Sequence, residues 1–180
     1  MDRQRIDEKV SMVLQEHQID PSNGYDIVSL AKSMGFFVAT GFLEENEDGF
    51  IMVNSDGTKL LGTESSKVII VNSSRNQNQK RFIIAHELGH YLINGKDKQI
   101  FAHRKKEDEV RAENEQEVDY FAASLLMPKE AFQTKSNHLI SEGKDLSERV
   151  MELAKIFRAP VDSVLRRVEE LNLIINEDSA

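Results

Sequence analysis

The stretch that decides the fold reads Phe82-Ile83-Ile84-Ala85-His86-Glu87-Leu88-Gly89-His90-Tyr91-Leu92-Ile93. Its apolar residues fall on nearly all sides of a helical projection, and a helix of that kind is buried. Inside it stands a complete HExxH, from His86 to His90. Histidines four positions apart share one helix face, a turn above one another. Two neutral imidazole nitrogens so placed can both take a single Zn²⁺ ion. Glu87 lies roughly 100° around the helix from His86. It is poorly aimed for a ligand and better aimed at water on an open metal position, the place of a general base. The plainer reading, two histidines on a solvated face, conflicts with the apolar helix around them, because a buried imidazole without a partner is costly.

The pattern predicts helix from residue 76 or 77 to Asn94, where Asn94-Gly95 is a stop signal. Upstream, Ile6, Val10, Val13 and Leu14 fall at helical spacing, and Asp20-Pro21-Ser22-Asn23-Gly24 ends that helix. A short second helix is predicted near Ile27 to Met34, stopping at Gly35. The period then changes. Phe36 to Thr40, Gly49 to Val53 and Lys67 to Asn72 are short β-branched or aromatic runs, with a further short strand expected over Lys59 to Gly62. They suggest a small, mostly antiparallel sheet, and Gly49 to Val53 is the expected edge for a peptide bound by strand addition.

Downstream, Lys96 to Lys106 is polar and basic and reads as a mobile loop. Glu107-Asp108-Glu109 suits the positive start of a helix that runs to Met127 and stops at Pro128. The remainder reads as a short helical piece, then helices near Leu146 to Phe157 and Val161 to Leu171, divided by Pro160.

Composition narrows the chemistry. With 180 residues and 39% apolar content the chain can bury a real core. A formal charge of −8 argues against a broad electrostatic grip on nucleic acid or anionic membrane. There are no cysteines, so any zinc site must use histidine and carboxylate. No secretory leader and no apolar run of spanning length is visible, and a cytoplasmic location is the expectation.

A catalytic zinc commonly takes three protein ligands. A third histidine six residues after His90, preceded by glycine at three, is ruled out by Lys96 and Ile93. A carboxylate from the helix ending at Met127 is the expected alternative. Its apolar face is set by Val118, Phe121, Ala122 and Leu125; Glu115 and Glu117 both border it, and Glu113 points away. Periodicity does not choose between Glu115 and Glu117.

The segments Gln79-Lys80-Arg81-Phe82-Ile83-Ile84-Ala85-His86-Glu87-Leu88-Gly89-His90 and Glu117-Val118-Asp119-Tyr120-Phe121-Ala122-Ala123-Ser124-Leu125-Leu126-Met127-Pro128 resemble the ImmA/IrrE family of metallopeptidases. That family pairs an RF-x-x-AHELGH helix with an E-A-N-x-FA-x-x-LLMP helix, and Val118 and Asp119 stand where Ala and Asn are usual. The resemblance covers roughly Phe36 to Pro128. It implies an α+β zincin-like core, expected over residues 1–140, while the residues themselves read as a helical, helix-turn-helix-like extension over 141–180. It implies zinc held by His86, His90 and Glu117, with Glu87 as catalytic base. It also implies an intracellular endopeptidase acting on a helix-turn-helix repressor, as an anti-repressor of a mobile element or a stress-response regulator. Tyr91, Tyr120, His103 and His138 are the candidates for stabilising an oxyanion.

The rival reading is a DNA-binding or protein-interaction regulator whose zinc is structural. It rests on Leu153 to Val168, where Arg166 and Arg167 would lie on a reading helix. Asp162, Glu169 and Glu170 share that helix and oppose phosphate binding, which favours a hairpin packed on the core. The basic run His103-Arg104-Lys105-Lys106 reads as a solvated loop.

Overall fold

The computed structural model describes residues 1–93, 100–102 and 109–174. The chain begins with α1 (Arg3–Glu16), whose buried face is Ile6, Val10, Val13 and Leu14, the residues at helical spacing. The Asp2 carboxylate caps it by accepting from the Arg5 amide. The next helix, α2 (Ile27–Ser33), is capped by Asp26, which accepts from the Val28 and Ser29 amides. Gly35, at φ +86°, then turns the chain toward the sheet.

Three strands follow, β1 (Phe37–Gly41), β2 (Gly49–Val53) and β3 (Lys67–Asn72), and a fourth, β4 (Ile100–Ala102), completes a sheet of order β1-β3-β2-β4. β1 pairs with β3 in parallel, while β2 is antiparallel to both β3 and β4. The sheet is therefore mostly antiparallel, and the molecule is α+β. The structure departs from the sequence pattern at two places. Lys59 to Gly62 is a turn rather than a strand, because Leu61 and Gly62 both adopt positive φ and the Thr63 amide closes on the Leu60 carbonyl. And β2 is not an edge: Phe50, Ile51 and Met52 are paired on both sides. β4 falls within the stretch expected to be loop; the rest of that stretch, including His103 to Lys106, lies outside the described residues.

The helix carrying HExxH is α3 (Gln77–Ile93). Asn76 and Gln79 start it reciprocally, each side chain accepting from the other's amide at 3.0 Å. It packs on β2 and β3. A Cβ at Gly49 would stand 2.7 Å from Ile83 Cγ2 and 2.8 Å from the Ile70 carbonyl oxygen, so the start of β2 can approach α3 only because that residue has no side chain. Against the other side of α3 lies α4 (Glu109–Leu126), followed by α5 (Lys129–Ser141), α6 (Leu146–Phe157) and α7 (Val161–Glu170). One apolar core joins Ile6 on α1 to Val168 on α7. Among the described residues no helix is long and apolar enough to cross a membrane.

Candidate metal centre

Local spacing and one close helix contact assemble the site. His86 and His90 stand a turn apart on α3, and their Nε2 atoms face each other at 3.1 Å. A carboxylate oxygen of Glu115, on α4, lies 3.3 Å from His86 Nε2 and 3.6 Å from His90 Nε2. Gly89 lets α4 come this near. A Cβ there would meet Val118 Cγ1 at 3.0 Å and Phe121 Cδ1 at 3.1 Å. The glycine of the motif is thus a contact point between the two helices.

The donor atoms fit a small divalent cation. Ligands about 2.0–2.1 Å from a tetrahedral zinc stand about 3.3–3.4 Å from one another, and the three separations here bracket that value. The remaining ring nitrogen of His86 is also engaged: Nδ1–H donates to Asp119 Oδ1 at 2.8 Å. With Nδ1–H given to Asp119, Nε2 is the nitrogen that faces Glu115 and His90, and it would offer a lone pair to a cation once the ring gives up its second proton. Asp119 follows Glu115 by four positions, so one face of α4 supplies both carboxylates.

The electrostatics show a site built to hold positive charge. Burial works against a charged His86 ring, but the carboxylates of Asp119 and Glu115, with Glu87, outweigh it and hold the imidazole up at about 10. Asp119 sits below the ordinary carboxylate range: burial opposes this, and its bond to His86 and the charges of His86 and Arg166 prevail. Glu87 is fully buried. Burial raises its carboxyl to about 8, with His86 opposing the rise and Glu115 and Asp48 adding to it.

Glu117, the expected third ligand, is not brought to the histidines. Its carboxylate lies 3.9 Å from the Met1 ammonium, because two positions along a helix turn a side chain to nearly the opposite face. The carboxylate that stands beside both histidines is Glu115, one of the two that periodicity left open. The oxyanion candidates among the described residues are engaged elsewhere. The Tyr91 hydroxyl accepts from Lys67 Nζ at 2.9 Å, the Tyr120 hydroxyl donates to Asp7, and His138 is an exposed residue of α5 beside Glu142. His103 and the basic run lie outside the described residues. Asp119 was missed as the partner of His86, although its i,i+4 spacing from Glu115 was a usable signal. The arginines of α7 part ways. Arg167 is fully buried, with Nε donating to the Met127 carbonyl, while Arg166 pairs with Asp119 at 3.4 Å.

A family model described as the IrrE N-terminal-like domain, peptidase M78, matches residues 42–169. Among solved structures, a Mycobacterium tuberculosis transcriptional regulator is similar in fold, with a TM-score of 0.58 at 16% identity. The likeness covers 92% of this chain and 46% of that one, so this chain spans about half the length of that protein. No curated protein matches the chain. The family match takes in both the HExxH helix and the facing carboxylate helix, and the chain belongs to the IrrE N-terminal-like, peptidase M78 family.

Proposed function

We propose that the chain is a zinc-dependent endopeptidase that holds its metal through His86, His90 and Glu115 and uses Glu87 as general base. The observation that carries this reading is the convergence of three donor atoms within 3.6 Å of one another beside a fully buried glutamate. A bound zinc ion supplies Lewis acidity toward a peptide carbonyl and acidifies water to a pKa of about 7. The protein's own part is positional. Asp119 keeps the His86 ring in one tautomer, and Glu115 brings negative charge to the pair. Burial raises Glu87 to about 8, and a cation at the histidines opposes that rise. The carboxylate is thereby placed to take a proton from water and return it to the leaving amine.

The substrate class rests on likeness. Resemblance to the ImmA/IrrE peptidases, and a fold shared with a transcriptional regulator, support a helix-turn-helix repressor cleaved in the cytoplasm. The full burial of Arg167 counts against a DNA-reading role for α7. The test is a cleavage assay of purified protein with a repressor from the same genomic neighbourhood, with and without chelator. Glu87→Gln is expected to retain zinc and lose cleavage by at least about 100-fold, because an amide cannot accept the proton. Undiminished cleavage by that variant, or cleavage insensitive to zinc removal, would overturn the reading.

A further inference from the structure

The Asp119 carboxylate has two partners on opposite sides, one on the metal helix and one on the C-terminal hairpin. Oδ1 accepts from His86 Nδ1 at 2.8 Å, and Oδ2 accepts from the Arg166 guanidinium at 3.4 Å. We propose that Arg166 is a positioning residue for the metal centre: α7 uses it to hold Asp119 in the orientation that presents His86 Nε2 to the metal. This rests on the zinc-site reading above.

The hairpin is placed to do this independently of Arg166. At the α6–α7 corner, Asn78 Nδ2 donates to the Ala159 carbonyl at 3.1 Å and Arg81 Nε to the Arg158 carbonyl at 2.9 Å. Both donors belong to the first turns of α3, the helix that carries His86. At the other end of the hairpin, Arg167 is fully buried, donates to the Met127 carbonyl at 3.2 Å, and lies 5.2 Å from the centre of the Tyr120 ring. α7 is thereby fixed against α3 and α4 together. With Arg167 anchored, its neighbour Arg166 is turned about 100° from it around the helix, and that direction brings it to Asp119. The carboxylate is only half-buried, so an unrestrained Asp119 would divide its time between His86 and water. The guanidinium removes that freedom from the oxygen His86 does not use.

The test is zinc affinity of the full chain, measured by competition with a chromophoric chelator. Arg166→Met keeps the apolar stem and removes the charge. It is expected to weaken zinc about threefold to fivefold, the size an exposed ion pair can supply, with Tm unchanged within about 2 °C. Arg166→Lys should recover part of the loss. Asp119→Ala should weaken zinc by about tenfold or more, and adding Arg166→Met to it should change nothing further. An Arg166→Met affinity equal to the parent's overturns the positioning role, as does an equal loss in the Asp119→Ala background. A parent chain that binds no zinc would instead overturn the metal-centre reading itself.

Discussion

Two residues apart on a helix means about 200° of rotation, so Glu115 and Glu117 cannot both face the histidines. Which one does is decided by where α4 touches α3, and that contact is at Gly89, against Val118 and Phe121. Glu115 precedes Val118 by three positions and shares its side of the helix, where its carboxylate reaches both imidazoles. We therefore expect Glu115→Gln to lower zinc affinity by more than the roughly 10- to 100-fold typical of residues that merely support a ligand. Glu117→Gln, which among the described residues removes an ion pair with the Met1 ammonium, should stay within about threefold of the parent. Chelator competition on the two variants reads this directly, and the reverse order would return the ligand role to Glu117. The pairing of His86 with His90 was legible because i,i+4 spacing is a property of the helix alone. The carboxylate was not, because its choice depends on a contact between helices that residue periodicity does not encode.

At the scale of elements, helices declare themselves where apolar spacing and end signals agree. The buried face of α1, the Gly35 stop of α2, and the break at Pro160 between α6 and α7 were all present in the sequence, whereas the Asp26 cap of α2 emerges only from the structure. β4 was not, since a strand of three residues is too short to show alternation. Its place beside β2 also removes β2 from the edge. The α2 cap gives a pH-dependent prediction. Hydrogen bonding from the Ser29 side chain, with the Ser29 and Val28 amides and the Arg81 charge, holds the Asp26 carboxyl below its ordinary value of 3.8, and burial opposes this only in part. A carboxyl depressed by folding contributes stability above its unfolded value, and that contribution is lost as pH falls through the folded value. Asp26→Ala should cost about 1 kcal/mol at pH 7. The gap to the parent in denaturant unfolding should shrink below about pH 4. A gap that stays constant or widens on acidification would contradict the charged-cap account.

The HExxH helix α3 is tied to distant parts of the chain by Arg81, a charged residue only 6% exposed. Its Nη1 donates to the Tyr25 carbonyl at 2.6 Å and its Nε to the Arg158 carbonyl at 2.9 Å. One side chain thus joins α3 to the segment before α2 and to the end of α6. Tyr25 continues the tie, its hydroxyl donating to the Leu125 carbonyl of α4 at 2.8 Å. The sequence showed Arg81 as the first residue of the RF-x-x-AHELGH motif. It did not show the residue's task, because both carbonyls it satisfies belong to backbone more than fifty positions away. Arg81→Met fills much of the same volume but leaves those two carbonyls without their donor. Since hydrogen bonds from charged donors contribute about 1.5–3 kcal/mol each, the variant should lose about 3 kcal/mol or more. In a chain of this size that lowers Tm by roughly 6–12 °C. Arg81→Lys should not restore it, because a single ammonium lacks the planar fork that spans two acceptors. Thermal and denaturant unfolding of both variants measures this. A methionine variant as stable as the parent, or full rescue by lysine, would show that the two Arg81 hydrogen bonds do not carry the tie between α3 and the distant segments.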